Sequence, residues 1–434
     1  MKNVKLIAIL AMIGLSALSV FHMYDVRSSK VNTYDKYLAQ ARTAAENGIY
    51  VDAENYYKQA IKVKDSVEAE VELGEMYIES EQPTKAKKLV SVLEKNFQDE
   101  RQTFEYKIKF YKMVERYGSC FATYNEMLGR GVESEYVEKE MAEIKYSYFF
   151  NGRYDEVKNF SGTRYAVRNK EKWGYASLKG NRAIETQYQY AGPFNGEVAP
   201  VIDQEGKAYF VDVQGNMKLG IKKLKKVKEL GYLSGEIFPA FDGKKWQFYN
   251  LDCEPLFKEY DEVSSFGNGY AAVCKTGFWS IIDQTGATVI DKKYDDVKQD
   301  DKGIVYRNDR MFVKINDYYY LVDGTGNKVV NTKFKNAAMF NSTGYAAVNI
   351  DGKWGFIDID GNVVIKPKYK NARSFSNGLA AVETAKGWGF ISEDGEMAIE
   401  PQFDDALDFN EKGVAFVIQN GKWQGLTLYS KNYE

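Results

Sequence analysis

The sequence contains one histidine, His22, and that scarcity removes most of the common catalytic apparatus. No His-based metal site, Ser-His or Cys-His nucleophile pair, or imidazole base can be assembled around it. Cysteine is nearly as sparse. Cys120, Cys253 and Cys274 form no CxxC or other ligand-like spacing, and an odd number cannot close a complete set of internal disulfides, so they read as buried or free thiols. Proline numbers only 7. Neither sign of charge dominates: 59 basic side chains face 61 acidic ones, which removes any global pull toward nucleic acid or acidic polymers, and no nucleic-acid partner is expected. No catalytic set, cofactor site or metal site is nominated by the residues that remain.

Aromatic residues and glycine are abundant, with 33 Tyr, 25 Phe and 36 Gly, a composition that favours strands and tight turns. At 434 residues the chain exceeds one ordinary core, so two or more folding units are expected. Lys2 and Lys5 precede an apolar stretch from Leu6 to Phe21, broken only by Gly14, Ser16 and Ser19. Sixteen helical residues cover about 24 Å, short of a membrane core about 30 Å thick, but extension through Tyr24 reaches spanning length. Ala17-Leu18-Ser19 offers a small-residue pair for signal cleavage, whereas bulky His22-Met23-Tyr24 suits a membrane interface. The preferred expectation is a signal anchor over residues 1–24, contacting the membrane through 6–24, followed by a linker over 25–33. The chain beyond it is then extracytoplasmic, or secreted if the segment is cleaved. No cysteine follows the segment, so a lipidated terminus is excluded.

Residues 34–160 change to helical periods with small residues at regular places. Asn47-Gly48-Ile49-Tyr50-Val51-Asp52-Ala53 reappears as Asn151-Gly152-Arg153-Tyr154-Asp155-Glu156-Val157, 104 residues on, close to three units of 34. Ala53 recurs as Ala86 and Ala41 as Gly74, each 33 apart. With Leu73-Gly74, Tyr77, Tyr57 and Ala60, this spacing resembles tetratricopeptide repeats, clearly in two units and poorly in a third around Tyr117-Gly118-Ser119. That resemblance implies a concave face that accepts a peptide or helix. A spacer that packs beside the next unit is the alternative.

Residues 161–434 hold all six tryptophans. Trp173, Trp246, Trp279, Trp354, Trp388 and Trp423, with Tyr209 and Tyr319 as substitutes, follow one another at gaps of 36, 37, 33, 40, 35, 34 and 35. An aromatic-x-x-small-x-x-aromatic triplet runs in step: Tyr188/Ala191/Phe194, Tyr260/Val263/Phe266, Phe334/Ala337/Phe340, Tyr369/Ala372/Phe375 and Phe403/Ala406/Phe409, with worn copies at Leu224/Val227/Leu230 and Tyr294/Val297/Asp300. Composition alone does not produce this phase. In one clean unit Trp354, Phe356 and Asp358 share a strand face, with Gly355 and Ile357 on the other. Gly355 lets another strand or layer approach beside the indole. Asp360-Gly361-Asn362 supplies a hairpin turn, and Pro367 is expected to end the second strand. The triplet is expected to be a connector with apolar teeth, leading to a third strand at Leu379–Val382.

These residues closely resemble the WG (KWG) repeat family of bacterial proteins. Trp173-Gly174, Trp354-Gly355 and Trp388-Gly389 carry the naming dipeptide, while Trp246-Gln247, Trp279-Ser280 and Trp423-Gln424 depart from it. The resemblance implies a binding or surface module with no catalytic residues to transfer. The expected class is multidomain α plus β: helical repeats, then an all-β domain of seven to eight repeats. Eight tryptophan-type strands, eight Ala-x-Val strands and seven Val-Ile strands fall one short of an eightfold ring. Closure by a strand near Tyr165-Ala166-Val167 is preferred over an open β-solenoid, because a ring leaves no free end.

Three local features invite functional readings. Asp212–Gly215, Asp283–Gly286 and Asp358–Gly361 resemble parts of calcium loops, but the spaced further ligands are missing and hairpin turns are preferred. Lys222, Lys223, Lys225, Lys226 and Lys228 suit an anionic surface, but the in-phase Leu224/Val227/Leu230 marks a solvated connector. Tyr318-Tyr319-Tyr320 alternate in facing, so at least one fills the core. The expected function is an exported, membrane-anchored, non-catalytic scaffold that contacts a protein or a cell-envelope polymer. The alternatives are a carbohydrate-binding module using exposed tyrosines and a carboxylate-only hydrolase, for which no pair of acids is nominated.

Overall fold

A computed structural model describes residues 30–431 apart from 222–223, 225, 301–302 and 341–342. The apolar stretch 6–24, on which the membrane reading rests, lies outside the described residues. Among those described, no helix is long and apolar enough to cross a membrane. The chain divides into two compact units with the boundary between Ser147 and Tyr148.

The first unit is helical. Helix α1 spans residues 30–46, so it starts inside the stretch expected to be a linker. It is followed by α2 (Tyr50–Val63), α3 (Val67–Glu79), α4 (Pro83–Asn96), α5 (Arg101–Met113), α6 (Tyr117–Gly129) and α7 (Glu135–Glu143). The starts of α3, α5 and α7 lie 34 residues apart. The turns between paired helices share one device, a left-handed residue: Gly48 (φ 73°), Glu81 (φ 55°) and Glu115 (φ 54°). The third hairpin, α5–α6, therefore exists although its sequence matches poorly. Small residues act as expected, since Ala41, Ala53, Ala60 and Ala86 are fully buried. A Cβ on Gly74 would lie 2.5 Å from the Tyr106 ring, whose hydroxyl donates to the Ala86 carbonyl at 2.8 Å. One hairpin thus seats its tyrosine in the gap left by small residues of the hairpin before it.

Charge also links successive hairpins. Lys58 and Lys85 donate to the Glu54 carboxylate at 2.6 and 2.7 Å, and those bonds hold its pKa down at about 2. A depressed carboxyl stabilises the fold above its unfolded value of about 4.3, and that contribution is lost as pH falls toward 2. Glu54→Gln is expected to lower the melting temperature of the helical unit at pH 7 but to leave it unchanged near pH 2. Equal losses at both pH values would assign the effect to packing.

The helical expectation fails from Tyr148 onward. Residues Tyr148–Tyr154 form a strand paired antiparallel with Lys422–Leu428. The misleading match of Asn47-Gly48 with Asn151-Gly152 has a physical cause, because both glycines are left-handed (φ 73° and 57°). The first ends a helix, and the second sits at a β-bulge between Asn151 and Arg153.

The second unit is an eight-bladed β-propeller. Blades 1 to 8 cover residues 156–188, 190–220, 229–260, 262–294, 296–334, 336–369, 371–403 and 405–428, and Tyr148–Tyr154 is the outer strand of blade 8. The ring is thus closed between chain start and chain end, but not by Tyr165-Ala166-Val167, which lie in the second strand of blade 1 (Arg164–Asn169). Each unit has four strands rather than three. The expected connector contributes a two-residue innermost strand, such as Asn371–Ala372, paired with the strand Leu379–Thr384. Blade 5 keeps three regular strands, and bridges from Tyr319 to Phe334 and from Val322 to Lys328 complete it.

Burial alternates less than expected, because each blade packs between two neighbours. Trp354, Gly355, Phe356 and Ile357 are all buried. Trp354, Phe356 and Tyr369 of blade 6 share a core with Phe375, Val382 and Ile391 of blade 7. Pro367 does not end its strand, which runs Val363–Tyr369. That strand is the outer edge of the blade, so the missing N–H costs no ladder bond.

The outer strand also explains the Trp-Gly dipeptide. Trp354 pairs with Tyr369 and Phe356 with Ile365, which leaves Lys366, Pro367 and Lys368 bulged over Gly355. A Cβ there would lie 2.5 Å from the Ile365 carbonyl oxygen and 2.7 Å from the Pro367 nitrogen. Gly174 and Gly389 face the same backbone crossing, at 2.5 Å from Glu185 O and 2.6 Å from Ile399 O. Where Gln247 stands instead, its side-chain amide donates to the Leu256 carbonyl, and Phe257 takes the left-handed conformation (φ 60°). Gly355→Ala is expected to cost about 1–3 kcal/mol, since backbone must move to admit the methyl group. Denaturant unfolding with an unchanged midpoint would show that the bulge relaxes freely.

Candidate ligand channel of the ring

The small residue and the aromatic after it are buried in most triplets, and Ala337, Phe340, Ala372 and Phe375 also reach the cavity at the ring's middle. Ala191, Ala337, Ala372 and Ala406 are buried, as are Phe194, Phe266, Phe340, Phe375 and Phe409. The residues between them add Asn159, Lys298, Met339, Arg373, Ser374 and Asp408 to the same wall. The cavity has a volume of about 580 Å³, and its polar wall includes Asn159, Lys298, Asp300, Arg307, Arg373, Asn377, Asp408 and Glu411, drawn from blades 1, 5, 7 and 8.

Three basic side chains use the repeat's own aromatic positions as seats. Lys158 Nζ lies 4.5 Å from the Trp173 ring centre and 5.0 Å from that of Tyr190, and donates to the Ala191 carbonyl at 3.2 Å. Lys298 Nζ lies 4.5 Å from the Tyr319 ring. The Arg373 guanidinium lies 5.7 Å from the Trp388 ring, and its Nε donates to the Ala406 carbonyl at 2.6 Å. Such contacts hold a cation in place without neutralising it. Lys158 is accessible to solvent, yet protein walls it in on most sides. Burial holds its ammonium below the ordinary lysine range, and the same cause acts on Lys298.

The channel's carboxylates do not form an adjacent catalytic pair. Asp300, in blade 5, bonds to Arg307 at 2.5 Å, and Asp408, in blade 8, accepts from Asn159 Nδ2 at 2.5 Å. Among the described residues no group of three or more His, Cys, Asp or Glu converges with metal-binding geometry. The acidic turns are occupied by their own backbone. Asp358 Oδ1 accepts from the N–H groups of Asp360 and Asn362, and Asp212 and Asp283 do the same in their blades.

The signature residues are structural. Trp279, Trp354, Trp388 and Trp423 are buried, and Trp173 and Trp246 are half-buried. Gly174, Gly355 and Gly389 lie under the outer-strand bulges. Val227 and Leu230 of the lysine-rich stretch are buried, as a connector requires, while Lys222, Lys223 and Lys225 lie outside the described residues. Tyr319 is buried, whereas Tyr318 and Tyr320 are half-buried on the opposite face. No described tyrosine of the ring is exposed, so the expectation of exposed sugar-stacking tyrosines is not met. Lys158, Lys298 and Arg373 escaped the sequence reading. Their signal was a basic residue directly after the small residue of the triplet.

The WG containing repeat family matches residues 173–207, 254–277, 279–319, 321–354, 354–386 and 388–423. No curated protein matches the sequence. Among solved structures, the chain is similar to a eukaryotic initiation factor (11% identity, TM-score 0.43, covering 65% of this chain and 86% of that one). It is also similar to Hsv2p of Kluyveromyces lactis (12%, 0.39, 64% and 98%). A third likeness is to PorZ, a surface component of the type-IX secretion system of Porphyromonas gingivalis (9%, 0.35, 62% and 41%).

Proposed function

The C-terminal unit belongs to the WG repeat family, and from that premise we propose that the protein is an exported, membrane-anchored, non-catalytic binding scaffold. The observation that carries this reading is the channel wall. Lys298 and Arg373 are seated on aromatic rings and Asp300 and Asp408 are bonded to neighbours, an arrangement suited to holding a ligand rather than to passing protons or attacking a bond. The 34-residue spacing of helix starts supports a tetratricopeptide-like module as a second contact surface, with a peptide or helix as its occupant. The amino-terminal apolar stretch supports anchoring, with both units outside the membrane and a protein or cell-envelope polymer as partner.

The test is chemical cross-linking of the full chain in its own membranes, followed by repetition with the Arg373→Gln and Lys298→Gln variants. A partner recovered with the native chain and reduced with the channel variants supports the reading. Recovery of no partner contradicts it. Protease added to intact cells is expected to cut the ring, and full protection would contradict export.

A further inference from the structure

We propose that a side pocket of the channel, between blades 1, 2, 7 and 8, binds an oxyanion, a carboxylate or a phosphate carried on a small apolar stem. The proposal deepens the reading of the ring as a binding unit and rests on it. The pocket has a volume of about 260 Å³, room for a group of a few heavy atoms. Lys158, Arg164 and Arg373 line it, and none of the described residues that line it is acidic. Pro193, Phe194 and Leu407 supply an apolar wall. Three cations converging without a carboxylate in the same pocket are costly to a fold unless something negative visits them.

The local bonding leaves this charge unneutralised. Lys158 gives one hydrogen bond, to the Ala191 carbonyl, out of the three donors of an ammonium. The carboxylates that act on it from a distance are Glu156 and Glu229, and Glu156 is paired with Arg168. The terminal nitrogens of Arg164 donate to two backbone carbonyls, Thr163 at 2.8 Å and Val213 at 3.0 Å. Its Nε is buried without a hydrogen-bond partner among the described residues. Arg373 spends Nε on the Ala406 carbonyl, and its other contact, with Asp405, is long at 3.6 Å. Carbonyl partners orient these groups but do not cancel them, so the cations are held ready and remain charged. Burial depresses the proton affinity of both Lys158 and Arg164, as expected of cations lacking an anion. Asp408 and Glu411 lie on the wider channel and not on this pocket.

Lys368 provides an internal control, since it sits 5.1 Å from the Tyr369 ring in blade 6 but lines neither this pocket nor the channel. The experiment is calorimetric titration of the full chain with inorganic phosphate and, separately, with butyrate, at constant ionic strength in chloride. One site per chain is expected for at least one of them. The arm that binds more tightly identifies the head group, and a preference for butyrate over acetate reports the apolar wall. Lys158→Gln and Arg373→Gln are each expected to weaken binding about tenfold or more, as loss of one charged hydrogen bond does. Lys368→Gln is expected to leave it unchanged. Since Arg164→Gln also removes two carbonyl bonds, its effect is read only beside its melting temperature. The inference is overturned if neither anion binds the native chain, or if the Lys158 and Arg373 variants bind as the native chain does. Partner cross-linking measured on the native chain separates the two proposals: capture of a partner by a native chain that binds neither anion defeats this one and leaves the scaffold reading standing.

Discussion

A chain ending at residue 420 is expected to lose cooperative unfolding throughout the ring, not only at its end. The strand removed, Lys422–Leu428, is the third strand of blade 8 and, among the described residues, the only ladder partner of Tyr148–Tyr154. Its loss therefore opens the ring at the seam between blade 8 and blade 1. That seam is a shared core in which Trp423, Phe416, Leu407 and Tyr154 of blade 8 pack against Tyr165, Val167 and Ala176 of blade 1. Cross-seam polar contacts reinforce it: the Tyr165 hydroxyl donates to the Val414 carbonyl at 2.8 Å, and Asn410 Nδ2 donates to the Leu178 carbonyl at 2.6 Å. Removing buried Trp423, Leu426 and Leu428 alone forfeits on the order of 6–9 kcal/mol. That is comparable to the whole net stability of about 5–15 kcal/mol typical of a domain. Calorimetry of the truncated chain checks this. A single sharp transition for the ring, merely reduced in enthalpy by one blade's share, would instead indicate an open stack that frays locally.

The second large effect concerns one ring of one blade. Trp354→Ala is expected to destabilise the propeller by about 3–5 kcal/mol in denaturant unfolding. The indole is only 8% exposed and is packed in a core shared with blade 7. Its strand neighbours cannot collapse into the space, since Gly355 is already overlain by the backbone of the bulged outer strand. The cavity therefore persists, and cavity cost adds to the lost transfer energy. An unchanged midpoint would mean that the indole contributes little to the core despite its burial.

The phase of the tryptophans and of the aromatic-small-aromatic triplets made the blade repeat legible, because both rows of large side chains must be buried between neighbours. The Trp-Gly pair also carried its meaning openly, since only a missing Cβ admits a crossing backbone. Two things were obscured, and both have local causes. Tyr154, Val157 and Phe160 form an eighth copy of the triplet, yet the Asn-Gly bulge beside them imitates a helix-ending turn. The demand for a left-handed residue is the same in both settings, so the dipeptide does not distinguish them. The short connector strands were hidden for a different reason. Two residues give no alternation to read, and their pairing with Leu379–Thr384 and its equivalents follows from closure of the ring rather than from local preference.

The channel cations were the least legible part. A single lysine or arginine inside an apolar triplet looks like solvated surface, and only the ring places Lys158, Arg164 and Arg373 around one pocket. Cation seats also recur in only some blades. In blade 3 the inner strand is Glu229–Leu230, so Leu230 and not the expected Val227 takes the small-residue place; the equivalent positions elsewhere are then Gly192, Gly231, Ser264, Ala338 and Leu407, and no period of the repeat announces them.

Amide hydrogen exchange across Tyr148–Tyr154 and Lys422–Leu428 tests the closed ring most directly. If the first strand of the unit completes the last blade, the paired amides of both strands exchange together, and as slowly as those in the central strands of blades 6 and 7. Rapid exchange along Tyr148–Tyr154, with protection retained elsewhere, would contradict closure and with it the channel on which the binding account depends.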